Sequence, residues 1–151
     1  MIGPFEEILS DLGRYFHLEL HVDQYGACSI LFPPEIVIQL QLDASQENLF
    51  LFCTIAEIPP GKFRENILME GLKANAMRDP LAGVVGFYEE TSLLVLSQIY
   101  PLFILNGERT AIFLSNFLQM AQSWKSALQS GKTGPERTSF SSDEKPFGLK
   151  P

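Results

Sequence analysis

Cysteine, histidine and tryptophan are scarce in this sequence, with two, two and one residue respectively. Cys28 and Cys53 form no CxxC motif and have no second pair beside them, so no disulfide framework or cysteine-rich metal site is foreshadowed. Both lie inside apolar runs, and both are expected as small buried hydrophobes in a reducing compartment. His17 and His21 are four apart, but the hydrophobic period changes between them and no Cys, Asp or Glu at a ligand-like spacing completes a metal site. Any Ser-His-Asp or Cys-His arrangement would have to use one of these two histidines, and no Gly-x-Ser-x-Gly elbow is present. Gly131-Lys132-Thr133 is not a phosphate-binding loop, because Ser126 stands where the motif needs glycine. Glu89 and Glu90 are adjacent in a polar turn, whereas paired catalytic carboxylates face each other across a cleft. The expectation is a protein without enzyme activity, cofactor or metal.

Long hydrophobic runs are also missing; none approaches the roughly 18–20 residues that a bilayer-spanning helix requires. The opening Met1-Ile2-Gly3-Pro4-Phe5-Glu6-Glu7 has no basic stretch leading into an apolar one, so no signal peptide is read there. A cytoplasmic protein with no membrane insertion is expected. Positive charge is in deficit, with 11 Lys and Arg against 18 Asp and Glu and a net charge of −7. Beyond residue 128 the balance is slightly positive (Lys132, Arg137, Lys145 and Lys150 against Glu136, Asp143 and Glu144), so the acidic excess belongs to the body of the chain. Such a body repels phosphate backbones, and nucleic acid is not expected as a partner.

What the sequence does contain is periodic apolar structure. Phe5, Ile8, Leu9, Leu12, Tyr15 and Phe16 recur at three-and-four spacing, which predicts an amphipathic helix over residues 2–16 with Pro4 in its first turn. Leu18, Leu20 and Val22 then alternate with Glu19 and His21, which predicts a strand over 18–22. A turn at Asp23–Gly26 leads to a strand over 27–32 that Pro33 and Pro34 stop. Strands are expected over 36–42, where Ile36, Ile38, Leu40 and Leu42 oppose Val37, Gln39 and Gln41, and over 48–56. A second helix over 61–77 carries Phe63, Ile67, Leu68, Gly71 and Ala74 on one stripe. Strands over 83–88 and 92–99 follow, and then a final helix over 107–129 with Asn106 as its cap. Residues 101–105 are read as a connection or a short strand extension. From Ser130 onward, breakers and polar residues dominate, which predicts one domain over 1–129 followed by a disordered tail over 130–151.

Leu49, Phe50, Leu51, Phe52 and Cys53 leave neither face of their strand polar, and Leu93, Leu94, Val95 and Leu96 repeat the feature. A strand apolar on both faces needs cover on both. One cover is the domain's own helices; the other is a second subunit or a ligand, since contiguous apolar patches on soluble proteins mark interaction sites, unless the chain closes a sandwich-like core over both faces.

Four stretches resemble a known family. Phe5–Gly13 looks like the first helix of the class I type III secretion chaperones, the CesT/SycE-like group. Phe63–Asn75 is similar to the family's second helix, which often ends in Ala-Asn. Gly83–Leu96 resembles the hairpin that follows, and Phe113–Leu128 resembles the last helix. Pro33-Pro34 and the long tail depart from the family pattern. The resemblance implies an α+β fold: a mainly antiparallel twisted sheet of five or six strands with three helices, in the order α-β-β-β(-β)-α-β-β-α, forming a homodimer. It further implies secreted effector proteins as partners, held in extended form, with a heterodimeric chaperone subunit as another possible partner. Mapped onto this chain, Phe5, Ile8, Leu20, Ile30, Val37 and Phe50 are expected in the effector-binding groove. Phe63, Ile67, Leu68, Val85, Phe87 and Leu94 are expected at the dimer interface. A regulatory or sensory protein-binding module of the same fold, without an effector client, is the alternative.

Overall fold

A computed structural model describes residues 3–77 and 83–136. Among these the chain forms three helices and five strands: α1 (Pro4–Phe16), β1 (Ala27–Phe32), β2 (Ile36–Leu42), β3 (Asn48–Glu57), α2 (Lys62–Met77), β4 (Val84–Tyr88), β5 (Leu93–Pro101) and α3 (Gly107–Gln129). The strands make one antiparallel sheet in the order β1-β2-β3-β5-β4.

The helices begin where local chemistry favours it. The Glu6 carboxylate accepts the Gly3 N–H at 2.7 Å, Pro4 starts α1, and Glu6 and Glu7 lie on the favoured side of the helix dipole. Asn106 Oδ1 accepts the Arg109 N–H at 2.8 Å, as expected of a cap. The β2–β3 connection is organised by Asp43. Its carboxylate accepts bonds from Asn48 Nδ2 at 2.7 Å, Ser45 Oγ at 2.9 Å and the backbone N–H groups of Glu47 and Asn48. The Asn48 side chain, foremost among these donors, holds the Asp43 carboxyl below its usual range.

The core lies on one side of the sheet. Ile30 pairs with Ile38, Ile38 with Cys53 and Cys53 with Leu96, so these residues share one face. All four are buried, together with Leu40, Leu51 and Leu94. Leu9 and Leu12 from α1, and Leu114, Phe117, Ala121 and Trp124 from α3, join the same core. α1 packs on α3, and α3 packs on β2 and β3. Tyr100 of β5 stacks on Phe113 of α3 at 4.7 Å, and Phe16 meets Phe32 edge-on at 5.6 Å. α2 packs separately, against β4.

One expected strand does not form. Residues 18–22 are irregular. The Asp23 N–H does donate to the Ala27 carbonyl, and the Ala27 N–H goes to the Asp23 side chain. That starts a hairpin, but the chain before Asp23 continues without extended pairing. Leu18 and Val22 remain exposed and only Leu20 packs against the core. Alternation here reflects a loop with one anchored residue. Residues 130–136, within the expected tail, follow α3 through Gly131 at φ 83° and return towards the body: a Cβ on Gly134 would lie 3.2 Å from Trp124 ring carbons and 3.3 Å from Glu70 Cβ. The rest of the expected tail, 137–151, lies outside the described residues.

Candidate functional site

The same register that directs one set of side chains into the core directs the other set outward. Leu31 pairs with Val37, Gln39 with Phe52, Gln41 with Phe50, and Phe50 with Ile99. These residues form the sheet's second face, opposite the side where α1 and α3 lie. Leu31 is 66% exposed, Val37 49% and Ile99 50%, while Phe50 and Phe52 are half-buried. Phe50 and Phe52 stack at 6.1 Å, and Phe52 stacks on Tyr88 of β4, also at 6.1 Å. An apolar band therefore crosses the outer face from β1 to β4. Gln39, Gln41, Ser29 and Ser97 lie among its members.

The residues expected in the groove divide between the two faces. Val37 and Phe50 share the outer band. Phe5, Ile8 and Ile30 are no more than 7% exposed and belong to the core under the helices. Leu20 sits in the irregular segment, partly buried against that core. The outer residues that sequence reasoning missed are Leu31, Phe52, Tyr88 and Ile99. Phe52 was within reach, being two positions from Phe50 on the same strand; the others require the strand register.

The residues expected at the dimer interface gather around α2 and β4. Phe63 is 43% exposed, and Leu68, Val85 and Phe87 are partly buried. Ile67 and Leu94 are fully buried behind them. Gly71 brings α2 close to β4, since a Cβ there would lie 3.0 Å from Val85 Cγ1. Arg64 donates two bonds to the Ile58 carbonyl and one to Ser92 Oγ, and its guanidinium lies 4.8 Å from the Phe87 ring centroid. Met69 and Leu72 of α2 project into solvent.

Neither sheet face collects acid–base groups. Burial raises the Cys28 thiol above its ordinary value and pushes Cys53 up to about 11, so both are poor nucleophiles near neutrality. Among the described residues, no group of three His, Cys, Asp or Glu side chains is placed to hold a metal ion. None of the described helices is long and apolar enough to cross a membrane. What this arrangement offers is a pleated apolar surface, on the side of the sheet away from α1 and α3, backed by a packed core.

Comparison with known proteins places this fold. No match to a curated protein sequence was found. Solved structures do match. The HopA1–SchA chaperone–effector complex contains a chain 20% identical, with a TM-score of 0.65 over 82% of this chain and 94% of that one. The ExsC–ExsE complex gives 23% identity and a TM-score of 0.65 over 82% and 92%. The ExoT–SpcS complex from Pseudomonas aeruginosa gives 18% and 0.62 over 81% and 97%. At these identities the likeness establishes the fold. The family itself is established by a sequence profile that matches residues 7–125, most of the chain and all of its regular structure from the first turn of α1 to near the end of α3: this chain belongs to the Tir chaperone protein (CesT) family.

Proposed function

We propose that this protein is a cytoplasmic, non-enzymatic chaperone of type III secretion, which holds a segment of a secreted effector in extended form until export. The observation that carries this reading is the apolar outer face of the sheet, where Leu31, Val37, Phe50, Phe52 and Ile99 have no cover from the domain's own helices. Family membership and the chaperone–effector complex among its structural neighbours support it. An extended guest suits such a face because alternate side chains of a strand project to one side and can sit between the rings and aliphatic chains of the band. Holding requires no chemistry. The guest loses chain entropy on ordering, and burial of its apolar side chains offsets that loss.

A second exposed apolar surface, on α2, suits self-association. Phe63, Met69 and Leu72 would contact a second copy, Leu68, Val85 and Phe87 would border the contact, and Ile67 and Leu94 would support it from behind. A homodimer uses one self-complementary patch twice. The same surface would also receive a different chaperone subunit.

Leu31→Asp and Val37→Asp test the effector reading. Both side chains are exposed, so each substitution is expected to leave the fold intact, which a circular-dichroism melt checks. Each should weaken binding of the effector segment that co-purifies from the native cell by about tenfold or more, roughly 1.4 kcal/mol or greater, measured by calorimetry. Undiminished affinity in both variants would remove the outer face from the binding site.

A further inference from the structure

An edge strand presents alternate backbone N–H and C=O groups away from its sheet, and another chain can pair with them. β4 is one of the two edges here, yet its middle is not bare. Asn75, near the end of α2, accepts the Val85 N–H on Oδ1 at 2.9 Å and donates from Nδ2 to the Val85 carbonyl at 2.8 Å. One side-chain amide thus makes on a single residue both bonds that a neighbouring strand would make. With its N–H spent on Asn75, Val85 is a residue whose backbone faces away from β5. The helix is positioned for this contact by Gly71, one turn earlier, where a Cβ would lie 3.0 Å from Val85 Cγ1. At the next outward-facing position, Phe87, the Arg64 guanidinium lies against the ring.

The opposite edge differs. On β1 the Ala27 N–H and C=O are both taken by Asp23, at 3.0 and 2.8 Å. By strand alternation the backbone groups of Ser29 and Leu31 also face outward, beyond the reach of that single residue. The chain therefore treats its two edges unequally.

We propose that Asn75 is an edge guard: its amide stands in for a strand at the centre of β4 and prevents backbone pairing between this edge and any other chain, a second copy included. Association at the α2–β4 end is then confined to side-chain contacts, and a sheet continuous across two subunits at β4 is excluded. The proposal is independent of whether the chain holds an effector, since it concerns the free protein alone.

The test compares Asn75→Ala with Asn75→Lys by amide hydrogen exchange and by light scattering over a range of concentrations. Both substitutions remove the two bonds, so the Val85 amide should exchange about tenfold faster or more in dilute samples of each. Asn75→Ala frees both backbone groups of Val85. It should form species larger than the wild-type assembly as concentration rises, with Val85 regaining protection in them. Asn75→Lys places a charge at the same edge, a device that deters pairing, and should keep the wild-type size. Unchanged Val85 exchange in both variants overturns the proposal. So does Asn75→Ala holding the wild-type size at every concentration, and so does equal aggregation of the two, which would mean the bonds merely tie α2 to β4.

Discussion

Gly107 lies in the seam between α1 and α3, against Asp11, and Gly107→Ala measures how tight that seam is. The residue is buried at the first position of α3, and a Cβ built there would lie 2.5 Å from Asp11 Cβ and 2.6 Å from Asp11 Cγ. Real Cβ atoms do not approach other carbons so closely, so the helices must separate. Two effects compete. Alanine is favoured over glycine in a helix by up to about 1 kcal/mol, and by less in the first turn. Forcing an extra methyl into a packed seam costs about 1–3 kcal/mol. The second wins, because the obstacle includes the Asp11 Cβ, which cannot swing away as a side-chain terminus can. A net loss of about 1–2 kcal/mol is expected, which in a domain of this size lowers Tm by roughly 4–8 °C. Calorimetry or a circular-dichroism melt reads it directly. Asp11→Ala should fail to rescue the variant, since it leaves the Cβ in place. A Gly107→Ala protein that melts with the wild type, or complete rescue by Asp11→Ala, would refute the reasoning.

Three further outcomes follow from buried groups. The Cys53 thiol, pushed up to about 11 by burial, and the likewise raised Cys28 should react with iodoacetamide far more slowly in the native protein than in urea. Because the folded value is raised, the Cys53 contribution to stability is complete below the ordinary thiol value of 9.0 and is lost as pH rises towards about 11; Cys53→Ala should show a smaller loss in urea melts across that window. Trp124 is the sole tryptophan, only 1% exposed and close to Gly134. Removing residues 131–151 should shift its emission to the red relative to removing 137–151 alone; equal spectra of the two truncated forms would mean that residues 131–136 do not cover the ring.

Much of the fold was legible because the two periods are distinct in this chain. The three-and-four spacing of Phe5, Ile8, Leu9 and Leu12 gave α1, and the alternation of Ile36, Ile38 and Leu40 gave β2 together with its buried face. Asn106 marked the start of α3. The same logic overreached at Leu18, Leu20 and Val22, where alternation is real but pairing stops at Asp23. The candidate site was harder to read for a definite reason. In β3 both parities are apolar, so nothing local says that Leu49, Leu51 and Cys53 point inward and Phe50 and Phe52 outward. β2 carries the decision: Gln39 and Gln41 identify its outer face, and the register passes that assignment to Phe52 and Phe50. Ile30 reads equally well as groove or core until the sheet is assembled, and Phe5 and Ile8 do so until the apolar stripe of α1 is seen to pack into the core.

The make-up of that outer face bears on what covers it. A surface buried permanently on folding would resemble the inner face, where Ile30, Ile38, Leu40, Leu51 and Leu96 leave few polar side chains. A surface meant only for water would not present two stacked phenylalanines beside Leu31, Val37 and Ile99. Here the large apolar groups are interspersed with Gln39 and Gln41, whose side chains bond to each other at 3.3 Å, and with Ser29, Ser97 and Thr54. Interfaces that form and dissociate have this mixed character, because their parts must tolerate water in one state and exclude it in the other. The acidic body works in the same direction: a net charge of −7 keeps free molecules apart while the band is uncovered. On the proposed reading, a guest that comes and goes accounts for both features.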